Sequence, residues 1–407
     1  MSNFVIRLED GVGDVAYGRL TSTAGDLLPA TLTRGEGEAW GTASQAPDGV
    51  AAPFRLPEVG RLYVWVNNQG RGFTANHSPL TLSSAFVKER TAQLTQSMKQ
   101  YARRGVPVSA AQHHLEAAQS ATEPLMQMSH LIRASEALVR AVALTRLQRL
   151  KGRPVFLWGV QVRSSQPDTS HLAPFNTLAL PLGCKGDWVP LIQYAQQERK
   201  VLIGTELGAE ALQTPEKHLQ SCLMRYRGWV RYWQILDDAP THLKSLGADH
   251  AAQLYALRRV LQTAREIDPM SVRLLGVEHS LYHRKSGLAF LQACVELELP
   301  FEGVHLTLYW HDGDLFYFDH LLEQYGEVGK PLYLTLKLPP ETPHETFWRE
   351  DAARWIDSFC WLAISKPFVV GVLFEERSED PLYGDSHGVV RSLIQRGYNP
   401  QHYESLE

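Results

Sequence analysis

Residues 226–239 read Tyr-Arg-Gly-Trp-Val-Arg-Tyr-Trp-Gln-Ile-Leu-Asp-Asp-Ala. The run from Val230 to Leu236 is rich in β-branched and aromatic residues, as a buried strand is, and Asp237 and Asp238 follow it directly. In α/β sheets the polar residues that follow a strand are the ones that meet ligands. The stretch therefore predicts a strand of a parallel sheet that ends in a candidate site.

Seven further runs of the same kind accompany this one. The eight predicted strands cover residues 154–160, 177–182, 200–204, 230–236, 272–277, 303–309, 331–336 and 368–374. The predicted helices between them cover residues 188–198, 215–226, 248–267, 285–297, 316–325 and 347–364. Strand–helix alternation repeated eight times over roughly 250 residues predicts an α/β fold of the (β/α)8, or TIM, barrel type for residues 153–407. Residues 163–174 are short and polar, so we expect the barrel to be reduced there.

The chain before the barrel changes character twice. Residues 1–78 hold short alternating runs separated by turn residues, which predicts a small β-sandwich resembling a carbohydrate-binding module. Trp40, Tyr63 and Trp65 are interpreted either as a stacking platform for sugars or as its core. Residues 79–152 have helical periodicity and predict a helical hairpin connector, with coiled-coil dimerisation and docking of a protein partner as alternatives.

The quoted stretch resembles the fourth barrel strand of glycoside hydrolase family 10, the xylanase family. There a Tyr-Arg-Gly lead-in precedes a strand reading Trp-Asp-Val-Val-Asn-Glu-Ala. In the same order, residues 264–269 resemble the lead into the fifth strand, 301–306 the sixth strand, 329–335 the seventh and 366–372 the beginning of the eighth. The resemblance covers about residues 153–400. It implies a barrel related to retaining glycosidases that act on β-linked sugars such as xylan.

The resemblance also locates the catalytic positions. The family's acid/base glutamate falls on Asp238, and its seventh-strand nucleophile falls on Leu336. The family's third-strand motif is replaced around Glu206, and the tryptophan that shapes the sugar subsite falls near Phe374. A hydrocarbon cannot attack the anomeric carbon, so we expect double displacement to be lost. Lys337, which follows Leu336, is expected to point out of the barrel.

Other acids and aromatic residues stand at the predicted carboxyl ends of the strands. Glu278 and Glu375 are candidate catalytic carboxylates, because either, paired with Asp238 around a water molecule, would suit inverting hydrolysis. Acids at such positions are alternatively ion-paired on the rim. The candidate substrate-binding residues, several of them aromatic and suited to stacking on sugar rings, are Trp233, Asp237, Glu206, His305, Tyr309, Trp310 and Phe374.

Composition narrows the functional classes. The chain of 407 residues has a formal net charge of −4 and no clustered basic run, which argues against a nucleic-acid partner. No apolar stretch is long enough to span a membrane, and the beginning of the sequence does not resemble a signal peptide, so we expect a cytoplasmic protein. The four cysteines are far apart and the histidines lack a ligand spacing, so we expect reduced thiols, no metal and no cofactor.

Three functions remain open at this stage. The first is a degenerate glycoside-hydrolase-like protein whose barrel mouth binds an oligosaccharide, a polysaccharide or a protein partner without retaining hydrolysis. The second is an active glycosidase that uses Asp238 and a carboxylate outside the family pattern. The third is a structural subunit of a larger assembly that docks through the helical connector.

Overall fold

The computed structural model describes residues 2–7, 17–23, 25–28, 31–34, 38–43, 49–73, 80–150, 156–165, 169–183, 186–208, 210–247, 249–338 and 347–375. Two sheets are built mainly from the first 81 residues. Their strands are β1 Ser2–Arg7, β2 Arg19–Thr21, β3 Thr31–Arg34, β4 Glu38–Ala43, β5 Gly49–Leu56, β6 Gly60–Val66 and β7 Leu80–Thr81. The first sheet has the order β3-β4-β1-β7, and the second contains β2, β5 and β6. Pairing of β7 with β1 carries the first sheet past the predicted boundary at residue 78.

The connector contains three helices, α1 Leu82–Ala102, α2 Ser109–Ser120 and α3 Pro124–Gln148. There are three rather than the two of a hairpin, because residues 103–108 and 121–123 interrupt the helical backbone twice. Leu94, Leu131 and Leu138 pack in one core with Phe54 and Leu62 of the second sheet. Most of the apolar stripe of α3 is therefore buried inside this chain, whereas Ala141 and Leu144 are partly buried beside a cavity. Coiled-coil dimerisation stays an alternative.

A closed barrel of eight parallel strands follows the connector. Its strands are β8 Leu157–Gln161, β9 Thr177–Leu180, β10 Val201–Leu207, β11 Tyr232–Ile235, β12 Val272–His279, β13 Gly303–Tyr309, β14 Leu332–Lys337 and, after a short β15 at Trp348–Arg349, β16 Val369–Glu375. The strand order is β10-β11-β12-β13-β14-β16-β8-β9, closed on itself. The predicted (β/α)8 barrel is confirmed, with every predicted strand in place to within a few residues.

Helices of the barrel surround it on the outside. They are α4 Thr169–Leu172, α5 Val189–Gln197, α6 Glu210–Gln213, α7 Pro215–Leu223, α8 Ala239–Lys244, α9 His250–Ile267, α10 Leu288–Glu296, α11 Leu315–Gly326 and α12 Ala352–Ile364. Among the described residues of the first connection, the helical ones are the four of α4, as expected for the reduced corner predicted there.

Side chains alternate in direction along each barrel strand, so the apolar ones form two layers, one inside the barrel and one between the strands and the helices. Inward-facing side chains close the lower part of the barrel; they are Leu157, Ala179, Ile203, Leu274, Tyr333 and Leu373. The residues in between, such as Trp233, Leu336 and Phe374, face outward and pack under the helices. Because successive side chains in a strand point to opposite faces, a shift of one residue decides whether a side chain reaches the barrel axis.

The second sheet packs against the barrel beside its mouth. β15, which lies in the connection after β14, pairs antiparallel with β6 and joins that sheet. Arg19 of β2 donates from Nε to the carbonyl oxygen of Leu281, after β12, at 2.6 Å. The ring of Tyr63 stacks on Phe347 with centroids 5.4 Å apart. The sheet thus contacts the connections that follow β12 and β14.

Tyr63 and Trp65 are buried in the core that the sheet shares with the barrel. The core interpretation of these two aromatic residues is therefore confirmed. Trp40 lies in β4, and its side chain is outside the described part of the chain.

Candidate ligand-binding cavity

A cavity of about 520 Å³ opens at the carboxyl ends of the barrel strands. Its size lies in the range of small-molecule sites, roughly 300–1,000 Å³. The lining residues are Gln161, Arg163, Pro181, Trp188, Gln234, Asp237, Glu278, His305, Thr307, Thr335, Lys337 and Glu375. Only two of them, Pro181 and Trp188, are apolar or aromatic. The wall is therefore made almost entirely of hydrogen-bonding groups.

Lys285 joins two of the predicted carboxylates. Its Nζ lies 2.6 Å from Glu278 Oε2 and 2.9 Å from Asp238 Oδ2. The two oxygens are consequently at most about 5.5 Å apart, and the ammonium group lies between them. Burial would lower the pKa of Lys285, but its hydrogen bonds to both carboxylates outweigh burial and raise it. Tyr309 donates to Glu278 at 3.4 Å.

Asp237 and Asp238 have different surroundings although they are adjacent. Asp238 is buried and directly precedes α8, whereas Asp237 lines the cavity and its side chain is 52% exposed. His242 Nε2 lies 2.5 Å from Asp237 Oδ1. Burial alone would raise the pKa of Asp237, but the hydrogen bond and charge of His242 lower it overall, and the same hydrogen bond raises the pKa of His242. The more accessible acid is therefore Asp237, one residue before the predicted acid/base position.

Glu375 holds two cations on the opposite wall. Lys337 Nζ lies 2.5 Å from Glu375 Oε1, and Arg163 forms a second ion pair with the same oxygen. Lys337 lines the cavity, which corrects the expectation that it points out of the barrel. The reason is register: Thr335 and Lys337 occupy the inward row of β14, and Leu336 between them is fully buried in the outer layer.

His305 and Trp188 present polar atoms that have no partner among the described residues. His305 Nε2 lies 2.7 Å from Thr335 Oγ1, whereas its Nδ1 makes no hydrogen bond there. Burial, helped by the charge of Lys337, lowers the pKa of His305 to about 4, so the ring is neutral near pH 7. Trp188, at the start of α5, is 3% exposed, and its Nε1 also lacks an acceptor among those residues.

The backbone at the end of β11 has an unusual conformation. Leu236 is a buried residue with a φ of 65°, in the left-handed region that costs energy for residues other than glycine. The N–H of Gly276 donates to the carbonyl oxygen of Leu236 at 3.1 Å. A side chain at Gly276 would overlap the carbonyl oxygens of Leu236 and Asp237. The turn thus aims Asp237 and Asp238 in different directions, a pattern typical of functional sites.

Several predicted site residues lie elsewhere. Trp233, Trp310 and Phe374 are no more than 2% exposed and belong to the outer core. Burial removes all three from the predicted sugar-stacking surface. Leu336 shares that layer and does not reach the cavity. Glu206 lies in β10, but its side chain is outside the described part of the chain.

The remaining predicted residues do come together. Asp237, Glu278, Glu375 and His305 all line the cavity, and Tyr309 reaches it through Glu278. Sequence reasoning missed several further members of the site, which are Gln161, Arg163, Trp188, Gln234, Lys285, Thr307 and Thr335. The alternation of side chains along a strand could have predicted those that lie in strands, because they share the inward row with Glu278 and His305. Lys285 and Trp188 lie in connections between strands, where no sequence pattern predicts them as site residues.

Other features bear on the alternatives. Within the described ranges, no three His, Cys, Asp or Glu side chains are placed to share a metal ion, and no helix has the length and apolarity needed to cross a membrane. Cys222, Cys294 and Cys360 are buried free thiols, while Cys184 is outside the described residues. A second cavity of about 680 Å³ lies between α2, α3 and α12. Docking of a protein partner at the connector stays a prediction.

Comparisons with known proteins give structural similarity only. No family model matches the sequence, and no curated protein matches it. A family 10 glycoside hydrolase from Paenibacillus barcinonensis has a TM-score of 0.43 and 12% identity, with 57% of this chain and 85% of that chain covered. A family 10 endoxylanase from a sugarcane soil metagenome has a TM-score of 0.42 and 12% identity, with 59% and 97% covered. An intracellular xylanase from Thermoanaerobacterium saccharolyticum has a TM-score of 0.41 and 15% identity, with 56% and 90% covered.

Proposed function

We propose that the barrel mouth binds a carbohydrate without hydrolysing it by double displacement. The observation that carries this proposal is the cavity wall itself, in which amide, hydroxyl, imidazole and carboxylate groups surround about 520 Å³. Such groups donate to and accept from sugar hydroxyls. All three carboxylates on the described wall, Asp237, Glu278 and Glu375, are already paired with a cation or a histidine.

The same pairing argues against retaining hydrolysis. That reaction needs two carboxyl groups about 5–5.5 Å apart on either side of the anomeric carbon. Asp238 and Glu278 come within reach of each other, but both are ion-paired with the ammonium group of Lys285. On β14 the inward row carries Thr335 and Lys337, and neither is an acid. The inward row of β14 therefore offers no carboxylate nucleophile, and Leu336, the position matched to the nucleophile, faces away from the cavity.

The rival function is an active glycosidase. Asp237 is the acid that such an enzyme would present to the cavity, with Glu278 or Glu375 as its partner. Asp238, the position expected from the family resemblance, is buried against Lys285. The two functions predict opposite results in one assay.

The test combines turnover with binding. Release of chromophore from aryl β-xyloside and aryl β-glucoside is measured for the unmodified chain and for Asp237→Asn and Asp238→Asn, and xylotetraose binding is measured by calorimetry. We expect no release above buffer and saturable binding. Release that either substitution abolishes would establish the glycosidase instead.

A matched pair of variants locates the binding. Thr307 and Thr145 are both 7% exposed, but only Thr307 lines the barrel cavity. We expect Thr307→Val to weaken xylotetraose binding about tenfold, the value of one hydrogen bond to a ligand, and Thr145→Val to leave it unchanged. Equal effects of the two substitutions would place the bound sugar outside the barrel mouth.

A further inference from the structure

The second cavity lies outside the barrel, between helices of the connector and the barrel helix α12. We call it the connector cavity. Its volume of about 680 Å³ exceeds that of the cavity in the barrel mouth and is within the range of small-molecule sites. The residues of α3 that line it recur every three or four positions from Arg133 to Gln148, so they form one face of the helix. With a rise of 1.5 Å per residue, this face is about 22 Å long.

The helices α3 and α12 run in the same direction along this cavity. Arg133 Nη1 lies 3.9 Å from Oδ2 of Asp351, the residue before α12. Two turns further along α3, Arg140 Nη2 lies 2.8 Å from Oδ2 of Asp357, within α12. Higher residue numbers on one helix therefore meet higher numbers on the other. The lower-numbered lining residues of both helices share one end of the cavity, and the higher-numbered ones share the opposite end.

The lower-numbered end presents positive charge. Arg133 and Arg354 line it, and the Arg354 side chain is 42% exposed. The acid that both arginines contact, Asp351, does not line the cavity. Glu136 does line it, but its side chain is 6% exposed and is shared by Arg349 and Arg354. A guanidinium group has five N–H donors, so an arginine that is held by an acid can also bind a ligand carboxylate.

The higher-numbered end is apolar. It is lined by Ala141 and Leu144 of α3 and by Trp361 of α12. Ala141 and Leu144 are only partly buried, although both pack against the cores of the chain. The hydroxyl of Thr145, at the same end, donates to the carbonyl oxygen of Ala141 at 2.8 Å, so its hydrogen bond is made within α3. Apolar surface of this kind is stabilised when an apolar group covers it.

We propose that the connector cavity binds a small carboxylic acid with an apolar chain. The carboxylate binds Arg133 and Arg354, and the chain lies along Leu144 and Trp361. Charge complementarity selects the head group, because an ammonium group at the same end would meet two arginines. A helix of a partner protein is too large for this space, since a helix about 22 Å long and 10–12 Å across occupies roughly 2,000 Å³. The site is separate from the carbohydrate site proposed in the barrel mouth.

A set of simple ligands tests the two ends of the cavity. Decanoate, decanol and decylammonium are titrated against the full chain by calorimetry, below the concentrations at which they aggregate. We expect decanoate to bind about tenfold more tightly than decanol, the value of a hydrogen bond to a charged group, and decylammonium to bind most weakly. From hexanoate to octanoate to decanoate, the affinity should rise about fourfold for each methylene that becomes buried. Equal affinities for decanoate and decanol, or an affinity that does not depend on chain length, would overturn the proposal.

Two substitutions separate the head group from the chain. Arg354→Gln should weaken decanoate binding about tenfold and leave decanol binding unchanged, because decanol has no charge. Leu144→Ala should weaken the binding of both ligands about tenfold, because both have the same chain. The matched controls are Arg259→Gln, at an exposed ion-paired arginine, and Leu125→Ala, at a partly buried leucine of α3; neither residue lines the cavity. Controls that weaken binding as much as the cavity variants would place the ligand elsewhere and refute the proposal.

The oligomeric state decides between a ligand and a second copy of the chain. Light scattering after size-exclusion chromatography is measured for the unmodified chain and for Leu144→Ala, and circular dichroism identifies any variant that does not fold. We expect the two chains to have the same mass. A dimer that Leu144→Ala dissociates would mean that another copy of the chain covers the apolar end, and the proposal would fail.

Discussion

Lys285 divides one positive charge between two carboxylates, and this arrangement sets the charge balance on its side of the mouth. Asp238 and Glu278 together carry one more negative charge than Lys285 neutralises. Asp237 and His242 form a neighbouring pair that changes charge as the histidine titrates. The mouth on the side of β11 and β12 is therefore acidic, and its net charge depends on pH near neutrality.

The Asp237–His242 pair leads to a prediction about titration. We expect Asp237→Asn to lower the pKa of His242, because the hydrogen bond to Asp237 is the main cause of its elevation. A His whose pKa is raised by folding stabilises the fold while it is charged, and that stabilisation disappears as the pH rises through the folded-state pKa. The carboxylate partner, with its lowered pKa, loses its contribution as the pH falls through that value. The pair should therefore stabilise most between the unfolded-state pKa values of its two members, 3.8 for Asp237 and 6.5 for His242.

Proton NMR of the His242 ring in both chains measures the shift directly. The free-energy difference between them should be larger at about pH 6 than at about pH 9, and at most about 1 kcal/mol because half of the Asp237 side chain is exposed. His320, which is remote from Asp237 along the chain and bonded to a backbone carbonyl, is the internal control. An unchanged His242 titration would mean that the two side chains are not paired in solution.

At the scale of single residues, sequence reasoning could identify chemistry but not direction. It selected Asp237, Glu278, His305 and Glu375, all of which reach the cavity, because each lies in or directly after a predicted strand. It expected Lys337 to point outward, because Leu336 was matched to the nucleophile of the family and neighbouring side chains of a strand alternate in direction. No local pattern predicts the left-handed Leu236, which separates the directions of two adjacent aspartates.

Secondary-structure elements explain why the strands themselves were predictable. Parallel strands that are buried on both faces are continuous apolar runs, and helical periodicity separates one run from the next. The sequence therefore indicates all eight barrel strands without tertiary information. β15, of two residues, was not predictable, since it exists only because residues 60–61 lie beside it.

The junction of β11 and β12 gives a prediction for stability. In Gly276→Ala the new methyl group would overlap the carbonyl oxygens of Leu236 and Asp237, so the backbone that positions both aspartates must move. We expect a loss of about 1–3 kcal/mol or more in the free energy of unfolding. Urea unfolding monitored by tryptophan fluorescence measures it.

Gly247→Ala is the control for this substitution. Gly247 has a φ of 64°, but the space that a Cβ would occupy there is open, so only the conformational cost of about 1–2 kcal/mol applies. A loss at Gly276 no greater than that at Gly247 would show that the turn yields without strain.

For the whole molecule, buried ion pairs join the connector to the barrel. Arg90 of α1 pairs with Asp314, which precedes α11, and donates to Ser135 of α3 at 2.9 Å. Both members of the pair are 4% exposed. Removing one partner of such a pair leaves a charge buried without compensation. Sequence reasoning could not find this pair, because its members are 224 positions apart and neither belongs to a motif.

Arg90→Met tests the importance of this contact. We expect it to cost about 3–5 kcal/mol in the free energy of unfolding, measured by urea denaturation. Arg259→Met, at an exposed ion pair with Glu216, should cost far less because water already solvates both groups. Comparable losses in the two variants would mean that the connector contributes little to the stability of the barrel.

The packing of the second sheet against the barrel has a consequence for any attempt to express the barrel alone. Segments that are far apart in the sequence meet beside the barrel: Arg19 bonds to the connection after β12, Tyr63 stacks on Phe347, and β15 pairs with β6. We therefore expect substitutions of Arg19 in β2 or Tyr63 in β6 to affect ligand binding in the barrel cavity, although neither residue lines it. A barrel expressed without the amino-terminal strands would lose these contacts, and the connections after β12 and β14 would then be free to change conformation.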